Sequence, residues 1–226
     1  MTQQPQAKYR HDYRAPDYTT TDIDLDFSLD AETTRVTAVS KIKRQGTAGA
    51  PLVLDGEDLT LVSIQVDGQP WSAYRQQDNQ LIIEELPAQF TLTIVNDIHP
   101  AKNTALEGLY LSGDALCTQC EAEGFHHITY YQDRPDVLAR FTTRIVADKA
   151  RYPFLLSNAT ASARANWPMA ATGCNGRIRS RNLATCSRWW RGTSTCCATA
   201  SPPALAVRSR WSCSSIAATW IAPTGR

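Results

Sequence analysis

Gln119, Glu121 and Glu123 alternate within the run Leu116-Cys-Thr-Gln-Cys-Glu-Ala-Glu-Gly124. On extended backbone, residues two apart project to the same side, so the three would present an amide and two carboxylates in a row. Such a row suits a cation such as a substrate ammonium, because a hydrogen bond to an ionised carboxylate is stronger than a neutral one. A solvated acidic strand face produces the same pattern, and exposed glutamates need no special reason.

Other chemistry-bearing residues are sparse. Cys117 and Cys120 form a C-x-x-C with no second ligand pair and read as two plain thiols. The histidines are His11, His99, His126 and His127. No two stand at the i, i+4 spacing that lets imidazoles on one helix face share a metal. No helix-borne pair of metal-ligating histidines is therefore expected in this chain. Cys174, Cys186, Cys196, Cys197 and Cys213 lack metal-ligand spacing as well.

The elements that must carry these residues read as strands. Ile23, Leu25, Phe27 and Leu29 alternate with Asp22, Asp24, Asp26, Ser28 and Asp30, a half-buried strand with one apolar and one acidic face. Val36–Ile42, Leu52–Leu54, Leu59–Val66, Leu81–Ile83, Phe90–Val95 and Phe141–Val146 follow as further short β-rich runs. Asp67-Gly68 favours the positive φ angles of a tight hairpin, and Asp78-Asn79 marks another turn. Asp133–Val137 reads as a turn or a short helix start around its proline. The predicted fold is all-β, an antiparallel saddle-like sheet or sandwich over residues 1–157.

Residues 158–226 differ in kind. Residues 1–157 hold 14 basic and 22 acidic residues, a net −8, whereas the last 69 hold nine Arg and no Lys, Asp or Glu, a net +9. The same stretch carries five of the seven Cys and five of the six Trp, without Tyr or Phe. Neither the helical nor the strand period persists there, so an irregular, disordered tail without a domain is expected. Its Arg, Ala, Cys, Trp, Ser and Thr bias matches a GC-rich gene read out of frame. Nine Arg interleaved with Trp167, Trp189, Trp190, Trp211 and Trp220 superficially describe a nucleic-acid binder. Without Lys or a recognisable module, no nucleic-acid partner is expected. No apolar run reaches 18 residues and the N-terminus is polar, so a cytoplasmic protein without membrane contact is the expectation.

The run from Leu106 through CTQCEAEGFHHITYYQDRPDVLARFTTRIVADKARYPFLLSN, with KYRHDYRAPDY near the start, resembles the bacterial branch of the aminopeptidase N family of zinc metallopeptidases. The resemblance covers about 157 residues, the family's amino-terminal β-domain. It implies that Gln119 and Glu121 reach a catalytic cleft and that Glu121 binds the free α-amino group of a peptide substrate. An amine-binding Glu makes an exopeptidase, because a mid-chain amide would leave a desolvated carboxylate unpaired.

Family members cut with a zinc ion held by a His-Glu-x-x-His helix and a distant Glu. Zinc is thus the cofactor of the full-length family enzyme, and the resemblance implies that this chain holds no catalytic residue and no metal site, binds no zinc and is inactive alone. Peptides with a free N-terminus are the implied partners, and a monomer is expected. The sequence departs from the family at His126, where Arg is usual, and at Gln132, where an apolar residue is usual. The rival reading is a stand-alone β-sandwich binding module that uses residues 106–131.

Overall fold

A computed structural model describes residues 11, 13–120, 123–152, 154–157, 160–167, 171–183 and 196–199. Fifteen strands and two short 3-10 turns make up the regular structure of these residues, and no α-helix occurs among them. The first strand, β1 (Tyr18–Leu29), buries Ile23, Leu25, Phe27 and Leu29 as its alternation requires. It pairs antiparallel with β2 (Thr34–Arg44), which pairs in turn with β8 (Gln89–Ile98).

These strands form the centre of an eight-stranded sheet in the order β13-β14-β11-β1-β2-β8-β4-β5. Its remaining members are β4 (Thr60–Val66), β5 (Gln69–Pro70), β11 (Leu138–Asp148), β13 (Thr160–Trp167) and β14 (Ala171–Leu183). Two small sheets accompany it. One joins β3 (Leu52–Asp55), β7 (Gln80–Ile83) and β6 (Tyr74–Gln77); the other joins β12 (Phe154–Ser157), β15 (Cys196–Thr199), β10 (Ala115–Gln119) and β9 (Gly108–Ser112).

The expected turns are in place. Asp67 (φ 51°) and Gly68 (φ 80°) close the two-residue hairpin between β4 and β5, and Asp78 (φ 51°) opens the equally tight one between β6 and β7. The short apolar runs at Leu52, Leu81 and Phe90 all lie in strands. Asp133–Val137 forms a turn, closed by the Val137 N–H donating to the Arg134 carbonyl.

One pairing breaks the antiparallel rule. β11 runs parallel to β1, with Ile23 opposite Phe141 and Phe27 opposite Ile145. This register sets Asp22 beside Arg140 and Asp26 beside Arg144, and both pairs form ion pairs, the first at 2.8 Å. The acidic face of β1 is thus met by a basic one. Past Asn158, where the sequence alone suggested irregular chain, the described backbone runs in strands β13, β14 and β15, with β14 antiparallel to β11.

The core falls into two clusters along one face of the large sheet. Ile23, Leu25, Phe27, Val36 and Ile98 join Leu116, Phe125 and Phe141 in one; Ile42, Leu92 and Ile94 join Leu52, Leu81 and Ile83 in the other. Asn96, wholly buried on β8 between Ile94 and Ile98, marks the boundary. Its amide donates to the Ile128 carbonyl at 3.0 Å and accepts from the Thr129 hydroxyl at 2.9 Å. Segment 125–131 is thereby tied down between the clusters, and that segment carries both adjacent histidines.

Candidate functional site

β9 and β10 form a hairpin through Gly113, and β10 ends at Gln119. Gln119 is half-buried and stands opposite Gly108 of β9. Glu121 lies outside the described residues. Glu123 has a left-handed backbone (φ 66°) and sits in a turn, so the period-2 row read from the sequence does not extend to it as one strand. Cys117 is half-buried and Cys120 buried.

Beyond that turn the chain makes a single 3-10 turn over Phe125–His127. Phe125 is its apolar anchor, packed edge-on against Tyr131 and Phe141 at centroid distances of 5.1 and 5.5 Å. With Phe125 facing the core, His126 and His127 are half-buried, their rings 4.5 Å apart and tilted by 30°. Gly108 permits this: its φ is +71°, and a Cβ there would lie 2.6 Å from the His127 Cβ.

His126 Nδ1 donates to Asp133 Oδ2 at 2.8 Å, and the His126 backbone N–H donates to the same oxygen at 3.1 Å. This hydrogen bond to Asp133 raises the His126 pKa above its ordinary value; burial opposes the rise, while the charges of Asp133, Asp55 and Glu57 assist it. His126 Nε2 faces Glu57 Oε2 at 3.7 Å, and His127 Nε2 lies 3.1 Å from Glu107 Oε2. Glu57 is the residue that sequence reasoning missed. Its approach depends on the backbone of β3 docking on the loop after Thr129, where Asp55 and Tyr131 exchange hydrogen bonds of 2.8 and 3.0 Å.

Beside this cluster lies a crevice of about 790 Å³ bordered by Arg14, Asp17, Asp55, Asn79, His126 and Asp133. Gln132 also lines it and is buried, and its Oε1, like Asp133 Oδ1, has no hydrogen-bond partner among the described residues. His126 and Gln132 thus border the same crevice. Tyr131, buried next to them, has its pKa raised by desolvation and by the Asp133 charge.

The family model described as the peptidase M1 N-terminal domain matches residues 13–170. The chain belongs to the peptidase M1 family. Its amino-terminal part is 70% identical to aminopeptidase N of Escherichia coli over 158 residues, which are 70% of this chain and 18% of that protein. It is similar to a crystal structure of Legionella pneumophila aminopeptidase A in complex with aspartic acid, with 27% identity and a TM-score of 0.74 over 85% of this chain and 22% of that one. The fold is also that of an M1 zinc metallopeptidase from Deinococcus radiodurans, at 13% identity and a TM-score of 0.65, covering 81% of this chain and 42% of that one.

The chain therefore spans less than a fifth of the length of its Escherichia coli relative. The sequence contains no His-Glu-x-x-His run. The described residues contain no α-helix to carry two histidines one turn apart, and His126 and His127 are direct neighbours on a 3-10 turn. No helix among the described residues is long and apolar enough to cross a membrane.

Proposed function

We propose that this chain is the amino-terminal β-domain of a zinc aminopeptidase, residues 1–157, in which Glu121 anchors the substrate's α-amino group and Gln119 assists. The observation that carries the reading is the 70% identity to Escherichia coli aminopeptidase N over a segment containing the whole CTQCEAEGF run. The β9–β10 hairpin supports it, because it holds Gln119 at the mouth of a turn rather than inside the core. Peptides with a free N-terminus are the substrate class of the whole enzyme. Catalytic zinc is held by residues outside this chain, which functions as a monomer in the cytoplasm, without nucleic-acid or membrane partners.

By themselves the 226 residues do not hydrolyse peptides, since no His-Glu-x-x-His occurs in them. The test has two arms. The purified chain is assayed on an aminoacyl reporter, with no turnover expected. Residues 1–157 are then grafted onto the Escherichia coli enzyme in place of its matching segment, and activity is expected to return. Robust hydrolysis by the chain alone, or an inactive but folded graft, would sink the reading.

A further inference from the structure

Glu57, His126 and His127 offer one donor atom each, and these atoms all lie within 4.8 Å of one another. We propose that these three side chains bind a divalent transition-metal ion, with zinc the best match. The inference does not rest on the aminopeptidase reading.

Two imidazoles and a carboxylate are a donor set that zinc accepts, three protein ligands leaving a fourth position to water. In a tetrahedral site with bonds of about 2.05 Å, neighbouring ligand atoms stand about 3.4 Å apart. His126 Nε2 and Glu57 Oε2 are already 3.7 Å apart. The Glu57 side chain is 45% exposed, so it is free to adjust its rotamer, and it opens the site to solvent.

His126 is oriented for the task. Its Nδ1 is occupied by Asp133, itself buried, which leaves Nε2 as the free donor and aims it at Glu57. A carboxylate on the far nitrogen of a metal-binding imidazole fixes the ring and strengthens its basicity. The turn that carries both rings is pinned by Phe125 in the core and by Asn96 on the Ile128 carbonyl, so the pair is held before any metal arrives.

Charge favours the same occupant. Glu57, Glu107 and Asp133 lie against the two imidazoles, and Asp55 contributes its charge from the adjoining strand. A divalent ion offsets this excess. An Arg at position 126 would offset it too, but guanidinium has no lone pair to ligate with. His126→Arg would therefore keep a positive charge at this position while removing the ligand.

The full chain, stripped with EDTA and kept reduced, is titrated with Co²⁺ and then with Zn²⁺. Thiolate-bound Co²⁺ gives intense near-ultraviolet charge-transfer bands, whereas a histidine–carboxylate site gives visible ligand-field bands alone, so the seven cysteines are separable. One Co²⁺ of the second kind is expected, displaced by Zn²⁺. His126→Arg and Glu57→Gln are each expected to weaken it by roughly tenfold or more while leaving any thiolate-bound metal unchanged. Zn²⁺ should raise the melting temperature of the parent chain more than that of His126→Arg. Identical Co²⁺ binding by parent and variants, or Co²⁺ spectra of thiolate type only, would overturn the proposal. If His126→Arg does not fold, the surface variant Glu57→Gln decides.

Discussion

Thr129 Oγ1 donates to Asn96 Oδ1 across 2.9 Å, and both residues are completely shut off from solvent. The same Asn96 caps the Ile128 carbonyl, so one polar side chain in an apolar row of β8 holds the loop that bears the two histidines. Replacing it by Ala strands the Ile128 carbonyl and the Thr129 hydroxyl in the core. Asn96→Ala is expected to cost about 2 to 4 kcal/mol, read from urea unfolding of parent and variant. An unchanged midpoint would mean that water or another group takes over both bonds.

Gln132 presents the opposite case. It is buried, and its Oε1 has no partner among the described residues. An unsatisfied buried acceptor costs about 1 to 3 kcal/mol, which an apolar side chain of similar size does not incur. Gln132→Leu is therefore expected to raise stability by about 1 kcal/mol. Calorimetric melting tests the sign, and a lowered melting temperature would show that the amide has a partner worth more than its burial costs.

Much of this architecture can be read before folding. β1, β2 and β8 alternate so cleanly that the buried face follows from the residue types, and Asp67-Gly68 names its own turn. What local pattern cannot supply is the partner across space. The parallel docking of β11 on β1 joins residues more than a hundred positions apart, and nothing in either strand's alternation chooses parallel over antiparallel. Glu57 reaches His126 for the same kind of reason, since β3 must first be laid against Tyr131. The even spacing of Gln119, Glu121 and Glu123 misleads at its end, because Glu123 takes a left-handed backbone that periodicity does not foresee.

Acid should loosen the outer face of the large sheet. Hydrogen bonds from Arg35 hold the Asp97 pKa below its ordinary value, and those from Arg140 do the same for Asp22. A depressed folded-state pKa means that the unfolded chain takes up the proton first. The stabilisation is complete above the ordinary carboxylate value of 3.8 and drains away as pH falls through the lower folded value. The Arg partners are more than half exposed, so each pair contributes little and the two together produce a shallow slope. Unfolding midpoints between about pH 6 and pH 2 measure it. Asp97→Asn should flatten part of the decline; a parent-like slope in that variant would remove Asp97 from the account.

Gly108 combines a left-handed φ with a close approach to His127. An alanine there meets both penalties: the backbone strain of a Cβ in that region and a 2.6 Å contact that the His127 Cβ must yield to. Gly108→Ala is expected to destabilise by more than about 2 kcal/mol. Gly68→Ala, whose φ is equally positive but whose Cβ meets nothing, is the control that carries the strain alone. Equal losses in the two would mean that His127 gives way freely.

The proposed anchor makes a ranked prediction in the grafted enzyme. A carboxylate facing an ammonium is a charge-assisted contact, worth roughly twice a neutral one in a site closed to water. Glu121→Gln keeps the shape and removes the charge, so it should lower kcat/KM by roughly a hundredfold, equivalent to about 3 kcal/mol. Gln119→Ala removes one neutral contact at the end of β10 and should cost roughly tenfold. The selectivity between a free and an acetylated N-terminus separates an anchor from a merely structural residue. Loss of the charge should weaken the free amine and leave the acetylated peptide as poor as before. If both substrates fall together, Glu121 shapes the cleft but does not grip the amine.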